Sequence, residues 1–270
     1  MNKNKLHLID ILSKGEPLKS LVVIDCHGHL GHWFNFNIPK YDEKSLIKGM
    51  DILGIDKMCI SAMASCGPDF IFGNRWVHEV VKHYPSRFFG YIGLNPNYSE
   101  LVMPEIEKYW EKGLMQGVKI HPVTHEYPPD GKEYRKIYDI LQEKRGLLLS
   151  HVWGISAVNI FENLAREYNE VTFILGHSGG EPKAIYEAIN VANKYKNIYL
   201  DPTGSYHYEG IIELMVKEAG AEKVLFGTDA PFLDPRPAIG RVVYADISDK
   251  DKTKILGLNM EKILLTKFKN

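Results

Sequence analysis

The sequence predicts an α/β fold, a slightly distorted (β/α)8 TIM barrel with a short N-terminal helical arm. Eight short apolar segments have the length of strands that are buried on both faces. Segments with the apolar spacing of helices alternate with them, and no long linker interrupts the series. A doubly wound open sheet is the alternative fold, but no GxGxxG motif follows the first strand. We therefore expect residues 1–270 to form one domain.

The predicted strands and helices follow one another in order. The strands are LVVID (21–25), KMCIS (57–61), FFGYIGL (88–94), GVKIH (117–121), LLLSH (147–151), TFILG (172–176), NIYLD (197–201) and VLFG (224–227). The helices between them include EKSLIKGMDILG (43–54), SELVMPEIEKYWEKG (99–113), EYRKIYDILQEKRG (133–146), ISAVNIFENLAREY (155–168) and EPKAIYEAINVANKY (181–195). The first twenty residues are expected to form a short helix or arm over the bottom of the barrel.

Composition and charge narrow the class of protein. The chain has a formal net charge of -1 and no basic stripe, so we expect neither nucleic acid nor an anionic membrane as a partner. No apolar run reaches the roughly 18 residues of a membrane span, and the N-terminus lacks the features of a signal peptide. We expect a cytoplasmic protein that acts on a small molecule, and a homodimer because dimers are common among soluble enzymes.

Two histidines follow the first predicted strand. His27 and His29 lie two apart in VVIDCHGHLGHW (22–33), directly after β-branched residues. Side chains alternate across a strand, so residues at i and i+2 project from one face and both imidazoles can reach a single point. Two imidazoles aimed at one point are half of a metal site. The rest of such a site must come from elsewhere in the chain.

Polar side chains end other predicted strands as well. In chain order these are Lys119 and His121 at the fourth strand, His151 at the fifth, His177 at the sixth and Asp229 at the eighth. The carboxyl ends of barrel strands meet at one face, where catalytic groups collect. Several neutral imidazoles and a carboxylate suit zinc, manganese or iron with one position open for water, and zinc is the default expectation. A metal so held can lower the pKa of bound water to about 7.

The ordered set of motifs resembles a known family. HxH after strand 1, GVKIHP at strand 4, His at strand 5, GHSGG at strand 6 and GTDAPF at strand 8 are similar to the amidohydrolase superfamily, most closely its amidohydrolase-2 branch. The closing LGLNMEKILL (256–265), with Asn259, is similar to the terminal helix of that branch. The branch contains metal-dependent hydrolases and decarboxylases. The resemblance extends over almost the whole chain.

The resemblance implies a ligand set and a candidate base. It implies that His27, His29, His151 and Asp229 bind the metal, and that His177 acts as general base or contacts a second metal. Asp229 would have a second role, because the strand 8 aspartate of the superfamily can accept the proton of the attacking water. One Zn²⁺ per chain is the favoured cofactor. Mn²⁺, or a second metal bridged by a carboxylated Lys119, is the alternative.

Two further strand 4 residues have open roles. An uncarboxylated Lys119 could pair with a substrate carboxylate or polarise a carbonyl oxygen. His121 shares a face with Lys119, and we weigh a substrate contact equally with a hydrogen bond that supports a ligand.

Arginines and two more aspartates complete the candidates. Arg75, Arg236 and Arg241 are the guanidinium groups available for an anionic substrate. Asp25 either orients a histidine ring by a hydrogen bond or caps the turn. Asp201 ends strand 7, and a turn role is expected for it.

The leading functional hypothesis is a metal-dependent hydrolase. It would attack an ester, lactone or amide-type bond in a small, carboxylated substrate by means of metal-activated water. The alternative is a metal-dependent non-oxidative decarboxylase, and the shared motifs do not separate the two. A lower-ranked alternative is a metal-binding barrel without catalysis. Substrate identity depends on the loops after the strands, which carry no diagnostic signature.

Overall fold

Seven parallel strands form one curled sheet in the computed structural model, which describes residues 8–110, 114–204 and 208–267. Each strand pairs with the next one along the chain, so the order in space is the order in sequence. Parallel neighbours need a crossover connection, and helices supply it. The strands are β1 (Ile24–Leu30), β2 (Lys57–Ala62), β3 (Phe88–Gly93), β4 (Met115–Ile120), β5 (Leu147–Trp153), β6 (Thr172–Gly179) and β7 (Ile198–Asp201).

Helices connect the strands, and a helix is confirmed in each of the five segments where the apolar spacing predicts one. The helices are α1 (Leu8–Ser13), α2 (Glu43–Leu53), α3 (Phe70–His83), α4 (Ser99–Trp110), α5 (Pro122–His125), α6 (Lys132–Glu143), α7 (Ile155–Glu167), α8 (Pro182–Lys194), α9 (Ile211–Ala219), α10 (Pro235–Val243), α11 (Asp249–Thr253) and α12 (Asn259–Lys267). Short 3-10 turns lie at Met63–Cys66, Pro96–Tyr98 and Ala221–Lys223, and a π-helical turn at Lys254–Leu258 joins α11 to α12. None of the described helices combines the length and apolar character needed to cross a membrane.

The eighth predicted strand is not a regular strand in the structure. The segment 224–230 makes isolated parallel bridges, from Val224 to Leu200 of β7 and from Ala230 to Gly28 of β1. Its backbone also accepts a 2.8 Å hydrogen bond at Phe226 O from the Cys26 amide. The segment therefore lies between the two edge strands. Continuous pairing stops because the register of β1 shifts between Asp25 and Gly28 and because the backbone turns at Asp229, whose φ is 61°.

The register shift in β1 changes which side chains point into the curled sheet. Ile24 and Cys26 belong to the apolar cluster inside the sheet, with Tyr91 and Leu149, and the strict alternation would then turn His27 away from it. Between Asp25 and Gly28, β1 has one residue more than the paired stretch of β2, as in a β-bulge. His27 therefore also points inward, above the apolar cluster.

The structure describes only part of the predicted N-terminal arm. Helix α1 is six residues long, and Leu8 at its start is buried. The chain then runs to Leu18, whose amide donates to Leu53 O at the end of α2. The expected cover over the bottom of the barrel includes residues 1–7, which lie outside the described residues.

Asn259 at the start of α12 supports the segment that leads to residues 224–230. It is 8% exposed, and its Nδ2 donates to Ala221 O at 2.7 Å and to Val224 O at 2.8 Å. We predict that Asn259→Ala lowers the free energy of unfolding by about 1–3 kcal/mol, because two buried carbonyls lose a donor. Equilibrium denaturation in urea measures this change.

The control for this prediction is Asn190→Ala on α8. That side chain is exposed and donates to Glu187 at 3.4 Å, so its loss should change the free energy of unfolding by less than about 0.5 kcal/mol. Equal unfolding midpoints for Asn259→Ala and the unmodified protein would show that the two contacts contribute nothing.

Candidate active site

A cavity of about 360 Å³ lies at the carboxyl ends of the strands. The seven polar side chains that the sequence places at strand ends all line it: His27, His29, Lys119, His121, His151, His177 and Asp229. Aromatic rings form much of the remaining wall, among them Trp33, Trp153 and Phe232. Polar groups from five strands or strand-end segments thus lie together in one cavity whose wall is largely apolar.

Three side chains bring metal-ligating atoms together in this cavity. His29 Nε2 lies 3.0 Å and His27 Nε2 3.6 Å from Asp229 Oδ1, and the ligand atoms of the three residues all lie within 4.8 Å of one another. All three residues are buried. Two imidazole nitrogens and a carboxylate oxygen at this spacing could hold one divalent metal ion.

The Nδ1 atoms of His27 and His29 are both hydrogen-bonded. His27 Nδ1 lies 2.6 Å from Asp201 Oδ2, and His29 Nδ1 lies 3.0 Å from Ser61 Oγ. Such bonds fix the orientation of a ring and are usual behind metal-ligating histidines. Both Nε2 atoms are therefore directed at Asp229.

Asp201 and Asp25 differ in whether they orient a histidine ring or only bond to backbone amides. Asp201 has its expected turn role, because its Oδ1 accepts from the Thr203 amide at 3.1 Å, and it also orients the His27 ring. Asp25 contacts no ring in the described structure. Its Oδ1 accepts from the amides of His27 and Thr228 at 2.9 and 3.1 Å. Burial raises the pKa of Asp25 to about 8.

Asp229 is held in a strained backbone conformation beside the imidazoles. Its φ is 61°, and its amide donates to His27 O at 2.7 Å. Burial raises the pKa of this carboxyl, but the nearby His27 and His29 rings outweigh burial and hold its pKa below the usual range. The residue thus presents an ionised oxygen to the two histidines.

Lys119 is a buried cation next to the same group. Its Nζ donates to His27 Nε2 at 2.8 Å, and burial lowers its pKa. His27 consequently carries its proton on Nδ1, toward Asp201, and its lone pair on Nε2. A metal ion bound to Nε2 would replace the hydrogen bond from Lys119.

His177 begins an unusual backbone segment at the end of β6. The φ values of His177, Ser178, Gly179 and Gly180 are all positive, and the Gly180 amide donates back to His177 O. Left-handed backbone costs a non-glycine residue roughly 1–2 kcal/mol. His177 Nδ1 donates to Thr203 O at 3.0 Å, and its ring faces the cavity with its centroid 5.2 Å from that of His27.

His151 and His121 form a stacked pair, with centroids 4.0 Å apart and planes 16° from parallel. The ring of Trp153 is also stacked with that of His151, with centroids 5.8 Å apart. Burial is the main reason that the pKa of each imidazole lies well below its usual value. Of the four predicted ligands, the described structure groups His27, His29 and Asp229, whereas His151 stands apart from them in this stack.

The structure does not bring Arg75 or Arg236 to the cavity that the described residues form. Arg75 is exposed on α3 and lies over the ring of Phe72. Arg236 is exposed and bonded to Asp234 at the start of α10. Arg241 is turned toward the backbone after β7. No described arginine lines the cavity, so Lys119 is the cation that a substrate would meet there.

Ser61 was missed at the level of sequence, and Asp201 was expected only in a turn role. Ser61 is the last residue but one of β2, and Asp201 is the last residue of β7, at the same edge of the sheet as the predicted ligands. Both contact histidines of β1. The rule that strand ends meet could have predicted the contact of Asp201 with a histidine ring, whereas a serine near a strand end carries no distinctive signal.

Comparison with known proteins agrees with this geometry. The family model described as Amidohydrolase (Amidohydro_2) matches residues 24–265. No curated protein matches the sequence.

Solved structures with the same fold include three decarboxylases. 2,6-Dihydroxybenzoate decarboxylase from Rhizobium is 15% identical, with 91% of this chain and 99% of that chain covered and a TM-score of 0.74. 5-Carboxyvanillate decarboxylase from Sphingomonas paucimobilis is 16% identical, covering 90% and 98%, with a TM-score of 0.74. Dihydroxybenzoic acid decarboxylase from Polaromonas sp. JS666, with bound manganese and the inhibitor 2-nitroresorcinol, is 18% identical, covering 91% and 98%, with a TM-score of 0.71.

At these identities the solved structures establish the fold, and the family model establishes the relationship. It spans most of the chain and includes every strand and the clustered histidines and aspartate. This chain belongs to the amidohydrolase family described by the Amidohydro_2 model.

Proposed function

We propose that the protein is a metal-dependent decarboxylase of a small, flat carboxylic acid. The observation that carries the proposal is the placement of Lys119 beside the His27, His29 and Asp229 group in a cavity walled by aromatic rings. A flat ring fits between aromatic walls, and a buried ammonium favours an anionic substituent. On the sequence alone hydrolysis is the leading hypothesis, whereas the cavity and the decarboxylases that share this fold favour the reverse order.

The residues present suit one divalent metal ion. His27, His29 and Asp229 supply two nitrogens and an oxygen, and Asp201 and Ser61 already support both rings. This donor set suits zinc, manganese or iron. Manganese in the Polaromonas decarboxylase supports Mn²⁺ beside the Zn²⁺ expected from the sequence. When bound, the ion would act as a Lewis acid that holds substrate oxygens and stabilises developing negative charge.

The chain's own groups have distinct tasks in this reaction. Lys119 pairs with the substrate carboxylate, and the apolar walls exclude water around it. Loss of hydration raises the free energy of the carboxylate relative to neutral CO₂, which offsets the stabilisation from Lys119 and favours cleavage of the carbon–carbon bond. The electron pair of that bond stays on the substrate carbon, which then takes a proton. His177 Nε2 faces the cavity and transfers a proton that it has taken from solvent.

Hydrolysis is the second candidate, and the name of the family model favours it. The same imidazole would then take a proton from the attacking water, since its Nδ1 already donates to Thr203 O and its Nε2 is left to accept. Lys119 would polarise the carbonyl oxygen of an ester, lactone or amide. The two reactions use the same residues but give different products.

Product analysis tests the proposal. Metal-loaded protein is incubated with a panel of hydroxybenzoates and, separately, of carboxylated esters, lactones and amides, and CO₂ and organic products are quantified. We expect CO₂ in equal amount to the acid consumed, loss of this activity after chelation, and its return when Mn²⁺ or Zn²⁺ is added. Cleavage of the esters or amides without CO₂ would establish the hydrolase instead. If metal-loaded protein turns over nothing, the lower-ranked binding barrel is favoured.

The contact from Asp201 to His27 predicts a change in metal affinity. We expect Asp201→Asn to weaken binding of Zn²⁺ about 10- to 100-fold, since the amide cannot hold the ring of His27 as the carboxylate does. Competition against a chromophoric chelator measures the dissociation constant.

Asp139→Asn on α6 is the matched control, because Asp139 is exposed, its carboxylate accepts from Tyr168, and neither residue lines the cavity. Its metal affinity should equal that of the unmodified protein. An unchanged dissociation constant in folded Asp201→Asn would contradict a supporting role for the carboxylate.

A further inference from the structure

We propose that Arg241 is a positioning residue for His177 and acts through the loop that follows β7. The inference rests on the proposed role of His177 in proton transfer, but its main consequence can be observed without turnover. Arg241 lies on α10 and touches no part of the His177 side chain in the contacts described. Its effect is transmitted by three consecutive residues, Pro202 to Gly204.

The guanidinium group of Arg241 binds the loop after β7 at two carbonyls, one on each side of Thr203. Arg241 Nη1 donates to Pro202 O at 2.9 Å, and its Nη2 donates to Gly204 O at 3.1 Å. Two parallel N–H groups on one rigid plane fix both acceptors at once, which a flexible ammonium does not do. The carbonyls before and after Thr203 therefore both point to α10.

The Thr203 carbonyl, which lies between these two, points toward His177 and not toward α10. Thr203 O accepts from His177 Nδ1 at 3.0 Å, while the Thr203 amide donates to Asp201 Oδ1 at 3.1 Å. Thr203 is fully buried, so water does not compete for either bond. Because the flanking peptides are fixed by Arg241 and the amide by Asp201, the direction of the Thr203 carbonyl is determined by its surroundings.

This direction selects one tautomer of His177. A carbonyl oxygen can only accept, so in the neutral imidazole Nδ1 must carry the proton and Nε2 has the lone pair that faces the cavity. His177 has a φ of 65° at the start of a left-handed segment, and an unfavourable backbone of this kind persists when its surroundings hold it. Without a fixed acceptor, Nδ1 and Nε2 would share the proton.

Arg241 does not serve as a substrate contact in this arrangement. Both of its Nη atoms are occupied by backbone carbonyls, and it is absent from the described residues that line the cavity. Its loss should therefore affect the chemistry of a bound substrate rather than the binding of that substrate.

The direct test is NMR of protein with ¹⁵N-labelled histidine, loaded with diamagnetic Zn²⁺. A His177→Asn sample assigns the signals of His177. We expect a protonated Nδ1 and an unprotonated Nε2 in the unmodified protein, and loss of the Nδ1–H proton resonance in Arg241→Met through exchange and tautomer averaging. Arg241→Lys keeps the charge but not the two-point contact, and should show the same loss; it is the second variant if Arg241→Met does not fold.

Arg87→Met is the matched control. Arg87 also donates to two backbone carbonyls, those of Ile55 and Asp56, but at the opposite ends of the strands. The His177 resonances should be unchanged in this variant. Where turnover is found, kcat of the Arg241 variants should fall about tenfold or more with KM within about twofold. A folded Arg241 variant with an intact His177 Nδ1–H resonance would overturn the proposal, whatever reaction the protein catalyses.

Discussion

The buried carboxylate of Asp201 connects the candidate metal donors with the candidate proton-transfer group. One oxygen lies 2.6 Å from His27 Nδ1, and the other accepts from the Thr203 amide. A carboxylate removed from water must have such donors, because an unpaired charge would be very costly there. The His27 ring is thereby directed at Asp229, and the Thr203 carbonyl is directed at His177. Both sides of the cavity depend on the position of this one group at the end of the shortest strand.

Local backbone strain accompanies these contacts. His177, Ser178 and Asp229 have positive φ values, which side chains other than glycine rarely adopt. Hydrogen bonds offset the cost: Ser178 Oγ donates to Asp201 O, and the Asp229 amide donates to His27 O. The strained residues carry side chains that face the cavity or bond to its supports. Strain of this kind often occurs at functional sites, where a side chain must be aimed in a direction that a relaxed backbone does not give.

Much of the fold and most of the cavity follow from local sequence patterns. Seven of the eight strands and the five helices could be predicted because burial and amphipathic spacing leave a periodic signal. The predicted polar residues meet because parallel strands end at one face.

Three features depended on tertiary structure. The register shift that turns His27 inward has no periodic signature, the stacking of His151 on His121 depends on loop geometry, and the eighth strand was lost where segment 224–230 meets an irregular edge of β1. Arg75 and Arg236 were chosen for charge, which does not determine where a flexible side chain points.

The central claim is that His27, His29 and Asp229 hold one catalytic metal ion. Crystals of protein loaded with Zn²⁺ or Mn²⁺ allow the ion to be located by its anomalous scattering, and elemental analysis of the same sample gives the number of ions per chain. We predict one ion per chain, bound by Nε2 of both histidines and by the Asp229 carboxylate at about 2.0–2.2 Å for zinc. No bound ion after loading, or an ion held by other residues, would contradict the account.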